Sequence, residues 1–490
     1  TFNTVHKIDA FANYFAQNVI REGGGDQFLP YDYLAFSLHG KYGYDNRYFV
    51  QFDGSLMSSD QFKRDNRFGF FPTLSAAWVL SNEEFIKDKY GDWLTYLKVK
   101  ASYGKVGNDQ IPGGRYMYED DIRLGSGGYI QSLYSGALIH EGLRGNPLLQ
   151  WEDSRQQNYG LSLGLFNSLT VNFDYYLHRT DHILIKDNLL PALHGIATDR
   201  LPYENAGKVQ NKGFELELLY DKDINQELHI TAGSALAFNR NKVLEAHEVD
   251  RTESNFAYPF RSTGYAIGQQ FGYLIDYSNG NGFFNSKEEI KNSGLVYDGV
   301  QPRVGDFIYK DLNNDGVINN QDLAPVKYNT LPEISYSFNL GVAYKSFDLY
   351  ALMQGVSHAS NYFNGMGIYE FYGNGTYFGH HKNAWTPEAY ANGDKISYPA
   401  LSTKQSSSTQ ANSFFILSNN YFRLKNLELG YTLPADFCQK LHTDKIRFYL
   451  NGTNLLTIND RKFKDLDPES VTLNNYPHYR TYNLGLNIVF

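Results

Sequence analysis

The chain has 490 residues, with 44 Lys and Arg against 53 Asp and Glu, a formal net charge of −9, 40 Tyr, 34 Phe and a single Cys. The acidic balance argues against nucleic acid as a partner, and one cysteine rules out an intramolecular disulfide framework. Mean hydropathy is −0.47, and no apolar run reaches the roughly 20 residues that a membrane-crossing helix needs.

Runs of about ten residues in which every second side chain is apolar recur along the chain, the period-2 signature of strands with one apolar face. Taken in order they lie near 5–15, 33–44, 48–56, 68–79, 94–106, 154–166, 169–177, 212–220, 228–238, 334–344, 347–355, 421–431, 445–456 and 479–490. "LTVNFDYYL" (169–177) sets Leu169, Val171, Phe173, Tyr175 and Leu177 against Thr170, Asn172 and Asp174. The closing "YNLGLNIVF" sets Tyr482, Leu484, Leu486, Ile488 and Phe490 against Asn483, Gly485 and Asn487. Short turns at 45–47, 167–168, 221–227 and 345–346, with a longer one at 434–445, alternate with long connections. The latter fall near 18–32, 107–153, 180–211, 239–332, 357–420 and 457–478, with a modest one at 57–67. A soluble sandwich has no reason to gather its long loops at one end, whereas a transmembrane antiparallel β-barrel has short periplasmic turns and long external loops. The pattern therefore predicts an all-β membrane barrel wall of fourteen strands, with Asp53, Asn172, Asp174 and Asn339 among the lumen-facing residues. The opening "TFNTVHKIDAFANYF" is neither a signal peptide nor a methionine start, and the chain reads as the C-terminal part of a longer protein.

Few stretches carry chemistry. "GGG" (23–25) lacks the strand-then-helix setting and the lysine of a phosphate loop. "DLNNDGVINNQD" matches a calcium loop: Asp311, Asn313 and Asp315 at positions 1, 3 and 5, Gly316 at 6, the Val317 carbonyl at 7, Asn319 at 9 and Asp322 at 12. That spacing gathers hard oxygens around one point, although Asp in place of Glu at position 12 shortens the reach, and no flanking helix is evident. The same residues also suit a turn in which Asn and Asp bond their own backbone. In the loop 357–420, "YFNGMGIYEFYGNGTYFGHHKNAW" offers Tyr369, Tyr372, Tyr377 and Trp385 as rings that stack on sugars or meet a partner protein. A loop packing on itself accounts for the same composition. His380 and His381, if on a strand, face opposite ways and lack further ligand-spaced partners. Cys438 has no CxxC or His neighbour and reads as structural. No acid–base pair, Gly-x-Ser-x-Gly or HExxH marks an enzyme.

Several blocks resemble the SusC/RagA-type TonB-dependent outer-membrane transporters. They are "RFGFFPTLSAAWVLSNEEFI" (67–86), "WLTYLKVKASYGKVGN" (93–108), "GNPLLQWEDSRQQNYGLSLGLF" (145–166), "NAGKVQNKGFELEL" (205–218), "GDFIYKDLNNDGVINNQD" (305–322), "YFRLKNLELGYTLP" (421–434), "FYLNGTNLLT" (448–457) and "RTYNLGLNIVF" (480–490). The resemblance implies a barrel of about 22 strands plugged by an N-terminal domain, of which these fourteen form the C-terminal part, the plug and TonB box having no match here. It also implies energy from TonB, a SusD-like surface lipoprotein as partner, and oligosaccharide or oligopeptide as cargo, with no bond made or broken. At "FDGSLMSSDQF" (52–62) the chain departs from the compact "DGSSRF" common in that family. Other readings are a passive porin, a cell-surface barrel enzyme and a soluble glycan-binding β protein, which would stay in solution without detergent.

Overall fold

The computed structural model describes residues 5–20, 30–110, 112, 114–130, 134–186, 197–248, 262–372, 377–460, 462–463, 466–470, 476 and 478–490, with backbone alone at 124–130, 134–138, 140 and 198. "GGG" (23–25) lies outside the described residues. Fourteen long strands are hydrogen-bonded in chain order into one sheet. They are β1 (His6–Val19), β2 (Tyr31–Tyr44), β3 (Tyr48–Ser59), β4 (Phe68–Val79), β5 (Leu94–Asn108), β6 (Glu152–Leu165) and β7 (Leu169–Lys186). They continue with β8 (Tyr203–Asn225), β9 (Leu228–Glu245), β10 (Ile334–Tyr344), β11 (Phe347–Ser357), β12 (Tyr421–Thr432), β13 (Lys445–Asn459) and β14 (Thr481–Val489). All fourteen fall on the runs read from alternation. Residues β7 to β9 exceed the expected segments because the ladder continues past the alternating stretch, where neither face has to be apolar.

Which face is exposed decides the solvent. On β2, Leu34, Phe36, Leu38, Tyr42 and Tyr44 are exposed, while Ser37 and His39 on the opposite parity are half-buried. On β3 and β4 the exposed set is Tyr48, Val50, Phe52, Leu56, Phe68, Phe70, Leu74 and Trp78. This inverts the arrangement of a soluble protein, in which exposed large apolar patches are rare, and matches a wall whose outer solvent is hydrocarbon. Register is set accordingly: Tyr48 faces Trp78, Phe52 faces Leu74, and His39 faces Asp53. A one-residue slip would turn the whole greasy set inward. The β2–β3 turn closes in three residues, with Asp45 and Asn46 both at positive φ, the left-handed pair that a tight hairpin requires and that Asp and Asn tolerate.

The alternation of short and long connections departs at 60–67, at 80–93 and at 433–444, the last carrying the helix Ala435–Lys440. Only 60–67 joins β3 to β4 on the loop side, whereas 80–93 on the turn side spends its surplus on a 3-10 turn (Leu80–Asn82) and helix α1 (Glu84–Tyr90).

The chain divides into two compact units. In the first, residues 1–218, 239–249 and 262–265, the loop-side core consists of Phe62, Phe71, Met117, Leu149, Trp151 and Leu184. Trp151 fixes it by donating its indole N–H to the Arg67 carbonyl at 2.9 Å. In the second, residues 219–238, 250–261 and 266–490, the core lies among loop residues. Phe283, Phe284, Tyr297, Phe307, Tyr309, Phe363, Ile368, Trp385, Tyr398, Phe414 and Phe415 pack in one cluster.

Candidate functional site

In the first unit, the polar faces of β2 to β7 line a cavity of about 880 Å³ bearing Lys41, Gln51, Asp53, Lys98, Lys100, Gln156, Asn158 and His178. Strand alternation places these groups there, since each is one residue away from a lipid-facing neighbour. Contacts within and between strands hold three of them in place. Asp53 meets His39 at 2.6 Å and accepts from the Gln51 amide at 2.7 Å, and Lys100 pairs with Asp174 at 2.8 Å. Asn172 donates to Glu217 at 3.1 Å. In the second unit, Asn339 is half-buried on β10, and on the neighbouring strands Arg447 bridges Asp348 and Glu428. The wall therefore offers fixed charges and amides, the lining of a polar passage, with no nucleophile–base–orienter set among them.

Over the second unit the long loops form a built structure. Asp306, with no exposed surface, accepts from the Ser406 hydroxyl at 2.6 Å and from those of Ser407 and Ser408 at 3.2 Å. It thereby ties together loops about a hundred positions apart. Tyr398 donates to Glu370 at 2.8 Å.

The four aromatic candidates divide between core and surface. Trp385 is 5% exposed and donates its indole N–H to Asn285 at 3.0 Å. Tyr369 packs against the same cluster, its hydroxyl 2.6 Å from that of Tyr362. Tyr372 and Tyr377 present exposed rings. His380 and His381 do not sit on a strand but in the 3-10 turn Gly379–Asn383, with ring centroids 4.2 Å apart. Both Nε2 atoms face the Ile368 carbonyl, at 3.3 and 3.1 Å. Aromatic crowding inside the loop, invisible to a period-2 reading, draws them to one side. Cys438 is a buried free thiol in the helix Ala435–Lys440.

The segment 311–322 folds as a tight loop. Asp311 accepts the Gly316 N–H at 2.7 Å and Asp315 the Val317 N–H at 2.7 Å. Gly316 has a φ of +80°, where a side chain would be strained. Asn319 caps the 3-10 turn Asn320–Asp322, and Asp322 accepts the backbone N–H groups of Leu312 and Asn319 at 2.8 and 2.9 Å. Asp322 has no exposed surface, and burial raises its carboxyl above the usual value, the charges of Asp311 and Asp315 adding to the effect. Among the described residues, none of these three carboxylates makes an ion pair.

One constellation escaped the sequence reading. Arg423, on the inward parity of β12 and fully buried, donates through Nη1 to Glu469 at 2.7 Å and through Nη2 to both carboxylate oxygens of Asp467, at 2.7 and 2.8 Å. Asp467, Glu469 and His478 bring ligand-type atoms within 4.8 Å of one another, but the guanidinium already holds both carboxylates. An Arg on the inward parity of "YFRLKN" was the available signal; its partners, more than forty residues away, were not.

Residues 23–455 match the family described as TonB dependent receptor-like, beta-barrel. TonB-dependent receptor P3 of Formosa agariphila is 28% identical over 503 residues, covering 96% of this chain and 47% of that protein. SusC of Bacteroides thetaiotaomicron is 24% identical, covering 93% and 43%. The RagAB peptide transporter superposes with a TM-score of 0.71 at 22% identity, over all of this chain and 54% of that one. The RagAB peptide importer in its "open-open" state gives 0.71 at 24% identity. The chain thus spans about half the length of the relatives it matches, and at these identities the structural likeness speaks for the fold. Its lipid-facing apolar strands and the match over residues 23–455 make the chain a member of the TonB dependent receptor-like β-barrel family, a portion of an outer-membrane barrel.

Proposed function

We propose that the whole protein is an active importer of an oligomeric nutrient, an oligosaccharide or oligopeptide, driven by TonB and working with a SusD-like surface lipoprotein. The observation that carries this reading is the wall itself: apolar outward, and inward a run of fixed charges and amides. Transport by such a wall makes and breaks no bond. SusC of Bacteroides thetaiotaomicron and the RagAB peptide transporter, with their kinship or fold, point the same way, one by family and one by architecture. Tyr372 and Tyr377 are the exposed rings offered to cargo or to a lipoprotein, while Tyr369 and Trp385 hold the loop that carries them. The test is uptake of fluorescent oligosaccharides and oligopeptides by cells with and without the gene, and with TonB deleted. The importer loses uptake in both deletions; uptake that survives loss of TonB belongs to a passive pore and overturns the reading.

We further propose that the loop 311–322 takes Ca²⁺. The donor set suits a hard cation, being oxygen throughout, and a divalent ion would relieve the mutual repulsion of Asp311, Asp315 and Asp322. Asn313, Asn319 and the Val317 carbonyl would complete the shell, and bound calcium would supply rigidity there. Terbium luminescence on the full-length protein checks this: signal displaced by Ca²⁺ and lost in Asp315→Asn supports the site, and an unchanged titration in that variant refutes it.

A further inference from the structure

The turn joining β4 to β5 is longer than a hairpin needs, and its start is pinned to the lipid-facing side of the wall. Glu83, only 7% exposed, accepts from the Tyr48 hydroxyl at 2.6 Å, the Trp78 indole N–H at 2.9 Å and an Arg47 Nη at 2.9 Å. Tyr48 and Trp78 are register partners whose rings stack 6.0 Å apart on the exposed apolar parity of β3 and β4. A carboxylate held by both of them sits on the same side, so α1, which begins at the next residue, leaves the wall from its lipid face.

The composition of α1 suits that position. In "EFIKDKY", Ile86 and Tyr90 are half-buried, Glu84, Lys87, Asp88 and Lys89 are exposed, and Phe85 is 62% exposed. Just past the helix, Trp93 is exposed and stands 6.0 Å from Tyr90 and 6.4 Å from Phe166, itself exposed in the β6–β7 turn. Rings with one apolar and one wet end gather where hydrocarbon meets headgroups, and on α1 Lys87 stands about 200° around the helix from Phe85, on the opposite face. The band of exposed rings on β3 and β4 is thereby continued onto α1. Phe85, Trp93 and Phe166 nevertheless remain exposed, and water is a poor solvent for them.

We propose that α1 lies in the plane of the phospholipid leaflet on the turn side of the barrel, with Phe85 and Trp93 at the boundary of headgroups and acyl chains, Asp88 and Lys89 among the headgroups, Lys87 toward water, and Glu83 as the clamp that sets its angle. The occupant of the surface is the phospholipid monolayer that the exposed rings of β3 and β4 already meet. The inference rests on the barrel assignment and not on import, so failed uptake leaves it untouched.

The test uses the full-length protein in phosphatidylcholine vesicles on a Cys438→Ser background, with bimane attached at Phe85→Cys or, as the opposite face, at Lys87→Cys. Lipids brominated near the headgroup quench the label at position 85 at least twofold more than the label at 87, and aqueous iodide shows the reverse order. Adding Glu83→Gln makes position 85 more accessible to iodide. Equal iodide quenching at both positions overturns the proposal. The native sequence gives a second answer should Phe85→Cys not fold: a photo-activatable phosphatidylcholine labels the peptide covering 84–93, and labelling confined to strand peptides overturns the proposal equally.

Discussion

His381 has no exposed surface, and both ring nitrogens are engaged: Nδ1 accepts the Phe378 N–H at 3.0 Å, so Nε2 carries the proton toward the Ile368 carbonyl. A second proton would have to be placed on Nδ1, against an N–H that already points at it. Burial holds its pKa below the ordinary 6.5, outweighing the Ile368 contact and the charge of Glu370. Histidine freed by opening of the loop keeps the ordinary value, so below about pH 6.5 the opened form binds protons that the closed form does not. The stability of the loop is therefore full above that pH and is lost as pH falls from the ordinary value toward the lowered one. Hydrogen exchange of 378–385, corrected for intrinsic rates, is expected to accelerate between pH 7 and pH 5, and His381→Gln to flatten the dependence. Arg423 makes the opposite kind of commitment, a charge with no exposed surface held by two carboxylates that keep some contact with solvent. Arg423→Met removes the guanidinium from Asp467 and Glu469 and leaves His478 as the basic group beside Glu469, a loss of about 1–3 kcal/mol for hydrogen bonds to charged groups that are partly exposed. Faster exchange of the 466–470 amides, with the wall strands unchanged, is the expected result.

At the scale of the element, packing on the inner face depends on missing side chains. A Cβ on Gly107 of β5 would lie 2.0 Å from the Phe71 ring, which packs edge-on against Trp151 at 5.3 Å between centroids. Gly107→Ala must push Phe71 out of the first unit's core, at a cost of about 1–3 kcal/mol, seen as a lower urea midpoint for the heat-modifiable folded band. Gly40→Ala on β2, where a Cβ meets nothing within 4 Å, changes stability by at most about 0.5 kcal/mol. Such elements were legible to very different degrees. The fourteen strands could be read because two solvents act on each of them and print a period of two. The far ends of β7, β8 and β9 could not, since residues such as Asp181 and Asp221 lie where the lipid no longer imposes that period. Within the loops, Trp385 and Tyr372 look alike in sequence, yet one is core and one is surface. The difference lies in Asn285, a hundred positions from Trp385, and contacts of that separation leave no local pattern. The tight loop at 311–322 was legible because Asp311 and Asp315 bond their own backbone and Gly316 takes a positive φ, all local effects, whereas the Arg423 network depends on tertiary neighbours alone.

At the scale of the whole molecule, the assignment to the membrane turns on the two faces of each strand being read by different solvents. Leu74 and Ser75 are neighbours on β4, the first exposed on the apolar face, the second lining the polar cavity. In water, a lysine at the exposed position would be harmless and one in the cavity costly. In a bilayer the order reverses. Leu74→Lys places an ammonium in hydrocarbon, at about 2–4 kcal/mol near the midplane, while Ser75→Lys enters a space that already holds Lys98 and Lys100 and pays only local repulsion. Folding yield of the full-length protein into vesicles is expected to fall for Leu74→Lys and to stay within about twofold for Ser75→Lys, with thicker bilayers widening the gap. A soluble β protein would show the reverse order. The same pair of substitutions therefore separates the two kinds of molecule that alternation within the strands alone leaves open, and it does so independently of any transport.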